Sequence, residues 1–235
     1  NCNRAAKTAR GKYILFLNND TAVCEHWLTP LVDVMEGDPE VGVVGPKLLF
    51  GDGKLQEAGA IMWRDGSAWN FGRSDDPEKP EYNYLKETDY VSGACLLIRT
   101  DLWQRLGGFD TRFAPAYYED ADLAFAARAA GFKVIYQPLS RVFHFEGVSN
   151  GTDLEAGVKQ YQVRNQAVFR EKWSGELDAS HYPNASHVFN ARDRSQALGV
   201  YSMGVTLGGM FANLIGGWVT DAFDWRTAFI VVGLP

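Results

Sequence analysis

Five consecutive apolar residues, Tyr13–Leu17 (YILFL), stop abruptly on two amides and a carboxylate, Asn18-Asn19-Asp20. A run of five is too short for an apolar helix and suits a strand buried on both faces, the kind that lies inside an α/β sheet. Similar signals follow along the chain. "WLTPLVDVM" from Trp27 carries apolar residues at helical spacing, and "VGVVG" at 41–45 reads as another strand. "YVSGACLLIR" (90–99) predicts a strand and "TDLWQRLGG" (100–108) a short helix, with Thr100 as N-cap and glycines at its end. "DADLAFAARAAG" predicts a helix ended by Gly131, "KVIYQ" and "RVFHF" two strands, and residues 154–173 a longer helix. Residues 4–10 read as the end of a helix closed by Gly11, and residues 51–88 as a long irregular excursion with a hairpin near 58–63. Strands alternating with helices predict an α/β domain on a mostly parallel sheet. Ligands of such sheets sit beyond the carboxyl ends of strands. That gathers Asp20, the ends of 90–99 and 133–136, and the loop 109–120 around one crevice.

Bulk properties exclude some classes. A net charge of −6 without a basic stripe excludes a nucleic-acid binder. Three scattered cysteines (Cys2, Cys24, Cys95) supply neither a disulfide framework nor a cysteine metal site, and Cys24 and Cys95 beside apolar runs are expected as buried thiols in a reducing compartment. The opening "NCNRAAKTARGK" has no initiator Met and no apolar core, so no signal peptide is expected, and the chain reads as truncated.

Three places carry candidate chemistry. Asp20 at a strand end is either a turn carboxylate or a ligand for a hard divalent cation, which often takes one or two carboxylates alongside substrate phosphates. Glu119, Asp120 and Asp122 open a helix, where negative charge complements the dipole. The same dipole is expected to keep Asp120 ionised, as a general base must be. His144 follows an apolar strand; it is either a packing residue or an imidazole that binds Mn²⁺ or a similar ion with carboxylate and phosphate completing the shell. His26, His181 and His187 have no such setting.

Taken in order, "GKYILFLNNDTAV…WL", "DYVSGACLLIRTDLWQRLGGFDTRFAPAYYEDADLAFAARAAGFKVIYQP" and "VFHFEGVSNG" resemble the family 2 glycosyltransferases of the GT-A fold, over residues 1–194. The resemblance implies a GT-A domain, Rossmann-like and lacking its first strand. It implies that Asp20 is the metal-binding acid of a DXD-type motif, written here Asn18-Asn19-Asp20 and therefore missing its first carboxylate. All three residues would lie at the nucleotide diphosphate. It further implies Asp120 of the Glu119-Asp120 pair as catalytic base and His144 as a second hold on the metal. Ser92, Gly93 and Trp103 would face the acceptor. The implied reaction is inverting transfer of a sugar from a nucleotide-diphosphate sugar to a glycan or glycolipid hydroxyl, with Mn²⁺ or Mg²⁺, in cell-surface polysaccharide or glycolipid synthesis. A catalytically inactive sugar-nucleotide-binding module is the alternative on the same residues.

Beyond Arg194 the character changes. Residues 195–220 form a run of 26 without a charge, longer than the roughly 20 that cross a bilayer core. Gly204 and Gly208 have the spacing of packed membrane helices. A soluble buried hairpin is the other reading. Residues 195–235 resemble the fifth helix, loop and start of the sixth helix of a major facilitator superfamily transporter. They are expected to form an apolar Gly-rich segment, membrane-embedded over about 197–219, with Arg192 and Arg194 favouring a cytoplasmic face of the inner membrane for the preceding domain. A transporter fragment is thus a further functional alternative.

Overall fold

The computed structural model describes residues 2–145 and 160–183. The chain divides into Asn1–Pro183 and Asn184–Pro235, and every described residue belongs to the first unit. The expected membrane segment at 195–220 therefore lies outside the described residues, as does the start of the helix expected at 154–173. Among the described residues no helix is long and apolar enough to cross a membrane.

The elements, in chain order, are α1 (Cys2–Ala6), β1 (Tyr13–Leu17), β2 (Thr21–Val23), α2 (Leu28–Gly37), β3 (Val41–Leu49), β4 (Leu55–Glu57), β5 (Ala60–Met62), β6 (Ala68–Asn70), β7 (Lys86–Glu87) and β8 (Cys95–Arg99). They continue with α3 (Thr100–Leu106), α4 (Glu119–Ala129), β9 (Lys133–His144), α5 (Gln160–Lys172) and α6 (Ser174–Ser180). The main sheet runs β1-β8-β3-β9-β2, with β4 added to β3 and β7 to β9. β5 and β6 make the separate hairpin expected within the excursion.

The α/β class holds, but the sheet is mixed instead of mostly parallel. Among the described residues only β3 and β9 run parallel; β8 is antiparallel to both of its neighbours, β1 and β3. Apolar runs report burial, not direction, because both directions bury a central strand equally. The antiparallel β8 also changes how the crevice is built. Leu17 at the carboxyl end of β1 faces Cys95 at the amino end of β8, so it is the turn before β8 that reaches the ligand end of the sheet.

β9 merges the two expected strands into one. Its register against β3 jumps from Pro46↔Gln137 to Lys47↔Arg141, and Leu139 stands out in solvent. The second half then pairs antiparallel with β2, placing His144 opposite Thr21. Thr100 is the first residue of α3 and not its cap: its hydroxyl donates to the Gly11 carbonyl, tying α3 to the loop before β1.

The largest core cluster lies between the sheet and α3, α4 and α5. Alanines 121, 124 and 127 of α4 are buried and permit close approach, and Phe113, Phe125 and Phe169 fill the space beyond. Gly42 in β3 is required by packing, since a Cβ there would sit 2.5 Å from Leu102 Cδ2 and 2.7 Å from Phe132 Cβ. Asp122 joins this framework. Buried in α4, it accepts from Lys172 Nζ and from Trp173 Nε1 at 2.8 Å, which pins α5 to α4. Its place in the acidic trio is structural.

Candidate active site

The turn between β1 and β2 is closed by the Thr21 hydroxyl donating to the Asn18 carbonyl at 2.7 Å, and the Asn18 amide donates to Ala94 O at 2.9 Å. Asn18 and Asn19 are exposed while Asp20 turns inward. Because β2 pairs with the end of β9, the Phe145 amide reaches the Asp20 carbonyl (2.9 Å), and the two side chains meet. His144 Nε2 lies 3.4 Å from Asp20 Oδ1, with only 14% and 13% of the two side chains exposed. Asp20 Oδ1 is buried and accepts no hydrogen bond.

His144 Nδ1 faces Gln56 Oε1 of β4 at 3.1 Å. A carbonyl oxygen there suits a ring proton on Nδ1, an arrangement that would turn an Nε2 lone pair to the Asp20 carboxylate. Two electron-rich atoms turned on one another, one without a hydrogen-bond donor, form a donor set that suits a hard cation; an imidazole whose other nitrogen donates to an oxygen is the usual arrangement of a metal-bound His. Among the described residues no three of His, Cys, Asp and Glu cluster as a full cage. Asp20 and His144 thus fit an ion that takes its remaining ligands from water and phosphate.

The second half of the site is the amino end of α4. Tyr117 and Tyr118 precede it with φ of 72° and 74°, consecutive left-handed residues without the excuse of glycine. Each such conformation costs on the order of 1–3 kcal/mol and needs surrounding structure to hold it. The hold comes from Tyr118 Oη donating to Gly66 O on the β5–β6 hairpin and from Asn165 Nδ2 donating to Tyr117 O. Asn165 also donates to Phe113 O and Ala116 O, so one buried amide ties down the whole approach to α4.

Asp120 Oδ2 accepts from the Gly93 amide at 2.9 Å, and Oδ1 from Ala121 N. The preceding amide of the same turn, Ser92 N, donates to Glu57 Oε1 at 3.0 Å. Glu57 is almost wholly buried. Burial first, then the neighbouring Asp120 charge, pushes its carboxyl up to about 8, against the pull of the Ser92 amide. Burial and then Asp120 likewise raise Glu119 to about 8, and Glu119 Oε2 is buried without a partner. Asp120 itself is raised by burial in spite of its amide donors. Burial thus acts against the helix dipole expected to favour its charged form: desolvation is the larger cause and moves the carboxyl up.

Raised carboxylates make stability depend on pH. Glu57 and Glu119 hold their protons more tightly folded than unfolded, so unfolding releases protons between their ordinary values and about 8. Their contribution is full at low pH and is lost as pH rises through the folded values. Urea midpoints at pH 5.5, 6.5 and 7.5 are expected to fall with pH, at most about 1 kcal/mol per pH unit for each acid, and Glu57→Gln is expected to reduce that slope. A flat profile in the parent chain would contradict the burial of these charges.

The sequence-predicted residues fall into two groups. Asp20, His144, Ser92, Gly93, Glu119 and Asp120 come together along one edge of the sheet, linked by Gln56-Glu57 and Ala94. Trp103 does not join them. It is buried against Phe16 (4.8 Å between ring centres) and Phe109 (5.0 Å), because the short helix α3 turns its large apolar side chain to the core, so its acceptor role is withdrawn. Cys95 is buried as expected, Cys24 only partly, and Cys2 is exposed. Gln56, Glu57 and Asn165 were not anticipated. The signal available for the first two was a carboxylate inside the otherwise apolar "LQEAGAIM"; Asn165 had none.

Known proteins resemble the chain in sequence and in fold. The O-antigen biosynthesis protein RfbC of Myxococcus xanthus is 38% identical over 159 residues, 64% of this chain and 12% of RfbC. The N-acetylglucosaminyl-diphospho-decaprenol L-rhamnosyltransferase of Mycobacterium tuberculosis is 24% identical over 181 residues, 69% of this chain and 56% of that protein. The chain thus spans only part of the relatives it matches. The crystal structure of GalNAc-T7 with UDP, GalNAc and Mn²⁺ superposes with a TM-score of 0.57 at 17% identity, over 75% of this chain and 36% of that one, which shows the GT-A type of fold. The Major Facilitator Superfamily matches residues 177–235, about a quarter of the chain and too little to assign it. That match begins inside α6, where Leu177 is fully buried in the core of the first unit. The description "Glycosyltransferase like family 2" matches residues 1–164, and with more than two thirds of its length inside that match the chain belongs to this family.

Proposed function

We propose that the chain transfers a sugar from a nucleoside-diphosphate sugar to an acceptor hydroxyl with inversion at the anomeric carbon. The observation that carries this reading is the contact path running from Asp20 and His144 through Gln56-Glu57 and Ser92-Gly93 to Asp120. Asp120 Oδ takes the acceptor proton as the acceptor oxygen bonds to the anomeric carbon. The bond from that carbon to the diphosphate oxygen breaks, and its electron pair leaves with the nucleoside diphosphate. A carboxyl raised above the ordinary range is a better base than a free one. Asp20 and His144 would hold a divalent cation, Mn²⁺ or Mg²⁺, whose charge offsets that of the diphosphate. Asn18 and Asn19, exposed beside Asp20, face the same diphosphate, and Ser92 and Gly93 border the acceptor.

The relatives named for O-antigen synthesis and for rhamnosyl transfer support a glycan or lipid-linked acceptor in cell-surface polysaccharide assembly. Residues 1–194 act as the catalytic domain in this reading. Residues 195–235 follow as a membrane segment that keeps it at the cytoplasmic face of the inner membrane. The test is release of nucleoside diphosphate from a panel of nucleotide sugars, with lipid-linked and free acceptors, with Mn²⁺ and after chelation. Turnover that disappears on chelation and returns with Mn²⁺ is expected. Binding without turnover across the panel would leave an inactive binding module in its place.

A further inference from the structure

The strand pair β3–β4 holds an irregularity that the reaction above does not use. Leu48 pairs with Glu57 and Leu49 with Leu55, so the register shifts by one residue at Gln56: a β-bulge. In a regular strand Gln56 and Glu57 would point to opposite faces. A bulge re-aims side chains and is common beside active sites. Leu55, Gln56 and Glu57 are all buried, and Leu55 goes to a different cluster, with Tyr82 and Tyr136. Gly59 follows with φ +76°, and a Cβ there would meet Thr88 Oγ1 at 2.7 Å, so the chain leaves the bulge by a turn that only glycine fits.

We propose that this bulge is a positioning device that serves both halves of the site from one pair of adjacent side chains. Gln56 fixes the ring of His144 by accepting from Nδ1, and Glu57 fixes the Ser92-Gly93 turn whose next amide holds Asp120. Neither residue touches the reacting atoms. The inference rests on the functional reading above for what the two halves do, but its structural content is separate. It requires His144 to carry its proton on Nδ1, and it requires the two substitutions to act on different measurable steps.

The first test uses the unmodified full chain. Nitrogen-15 NMR of labelled histidine, with His144→Gln to assign the signal, is expected to show His144 protonated on Nδ1, the minor neutral form of free imidazole. An Nε2-protonated ring would overturn the proposal. The second test titrates Mn²⁺ alone by the loss of its free-ion EPR signal. Gln56→Met is expected to weaken Mn²⁺ binding about 10–100-fold. Gln56→Glu, which keeps an acceptor oxygen, is expected to retain it. Glu57→Leu is expected to leave Mn²⁺ affinity unchanged and to lower kcat about 10–100-fold by misplacing Asp120. Glu57→Gln, which can still accept from Ser92 N, is expected to restore most of that loss.

If Met or Leu prevents folding, the Gln and Glu variants and the NMR tautomer still decide the matter. No Mn²⁺ binding by the parent chain, or equal effects of both substitutions on Mn²⁺ and on kcat, would overturn the proposal. Mn²⁺ binding that depends on Gln56 in a chain without transferase turnover would instead sink the functional reading and leave the bulge's hold on His144 standing.

Discussion

Asp120→Asn is expected to lower kcat for sugar transfer by about 10²–10⁴-fold, the usual contribution of a general base, while the affinity for the nucleoside diphosphate stays as it was. The substitution is mild for the fold. An Asn oxygen still accepts from Gly93 N, while the Ala121 amide loses its side-chain acceptor. One effect on stability has a favourable sign. The Asp120 charge helps to raise Glu57 and Glu119, and removing it relieves repulsion among three neighbouring acids. The relief offsets the lost hydrogen bond from Ala121 N, and a melting temperature close to that of the parent is expected together with loss of turnover. That combination separates a catalytic defect from a folding one.

The pH profile gives an independent check. A base must be deprotonated to act, so the rate rises with pH through its pKa. Burial moves Asp120 upward, and the acid limb of kcat/KM should lie above the ordinary carboxylate range. An ionisation in that region belongs to the interacting acids jointly and not to Asp120 alone. Retained turnover in Asp120→Asn would remove this residue from the base role whatever the profile.

The strands β1 and β8, the short helix α3 with its glycine end and the alanine-rich α4 were legible because apolar runs and period are local properties, whereas the burial of β1 on both faces and the Thr100 cap were not found. The candidate residues Asp20 and His144 stand where an apolar strand stops, and Asp120 stands where a helix opens. Strand direction was not legible, since the side chains of a doubly buried strand do not encode it. The bulge escaped for a related reason. One inserted residue breaks the period of two, so "LQEAGA" read as irregular although all of Leu55, Gln56 and Glu57 are buried. Trp103 misled because a large aromatic on a short helix can face either way, and its partners Phe16 and Phe109 come from separate segments. Asn165 was invisible. Its role lies entirely in three carbonyls about fifty residues away, and the polar helix around it shows no pattern that marks it.

Asn165→Leu is expected to destabilise the first unit by about 2–4 kcal/mol, the largest effect of any single polar substitution proposed for it. The side chain is wholly buried and similar in volume to Leu, so packing changes little. What is lost is one amide serving Phe113 O, Ala116 O and Tyr117 O at 2.8–2.9 Å. A buried polar group left unpaired costs about 1–3 kcal/mol. The total stays below the simple sum because Asn165 Oδ1 is itself buried without a partner and its removal is a small gain. The loss falls on strained backbone, since Tyr117 and Tyr118 keep their left-handed conformations only while the carbonyls around them are held. Asn165→Asp makes the argument sharper. Its carboxyl can donate to a carbonyl only when protonated, so its folded pKa must rise, and the variant should recover stability at low pH and lose it as pH increases. Urea unfolding of both variants at pH 5 and pH 8 measures this. A Leu variant as stable as the parent, or an Asp variant with the parent's pH slope, would show that the loop before α4 is held by something other than this amide.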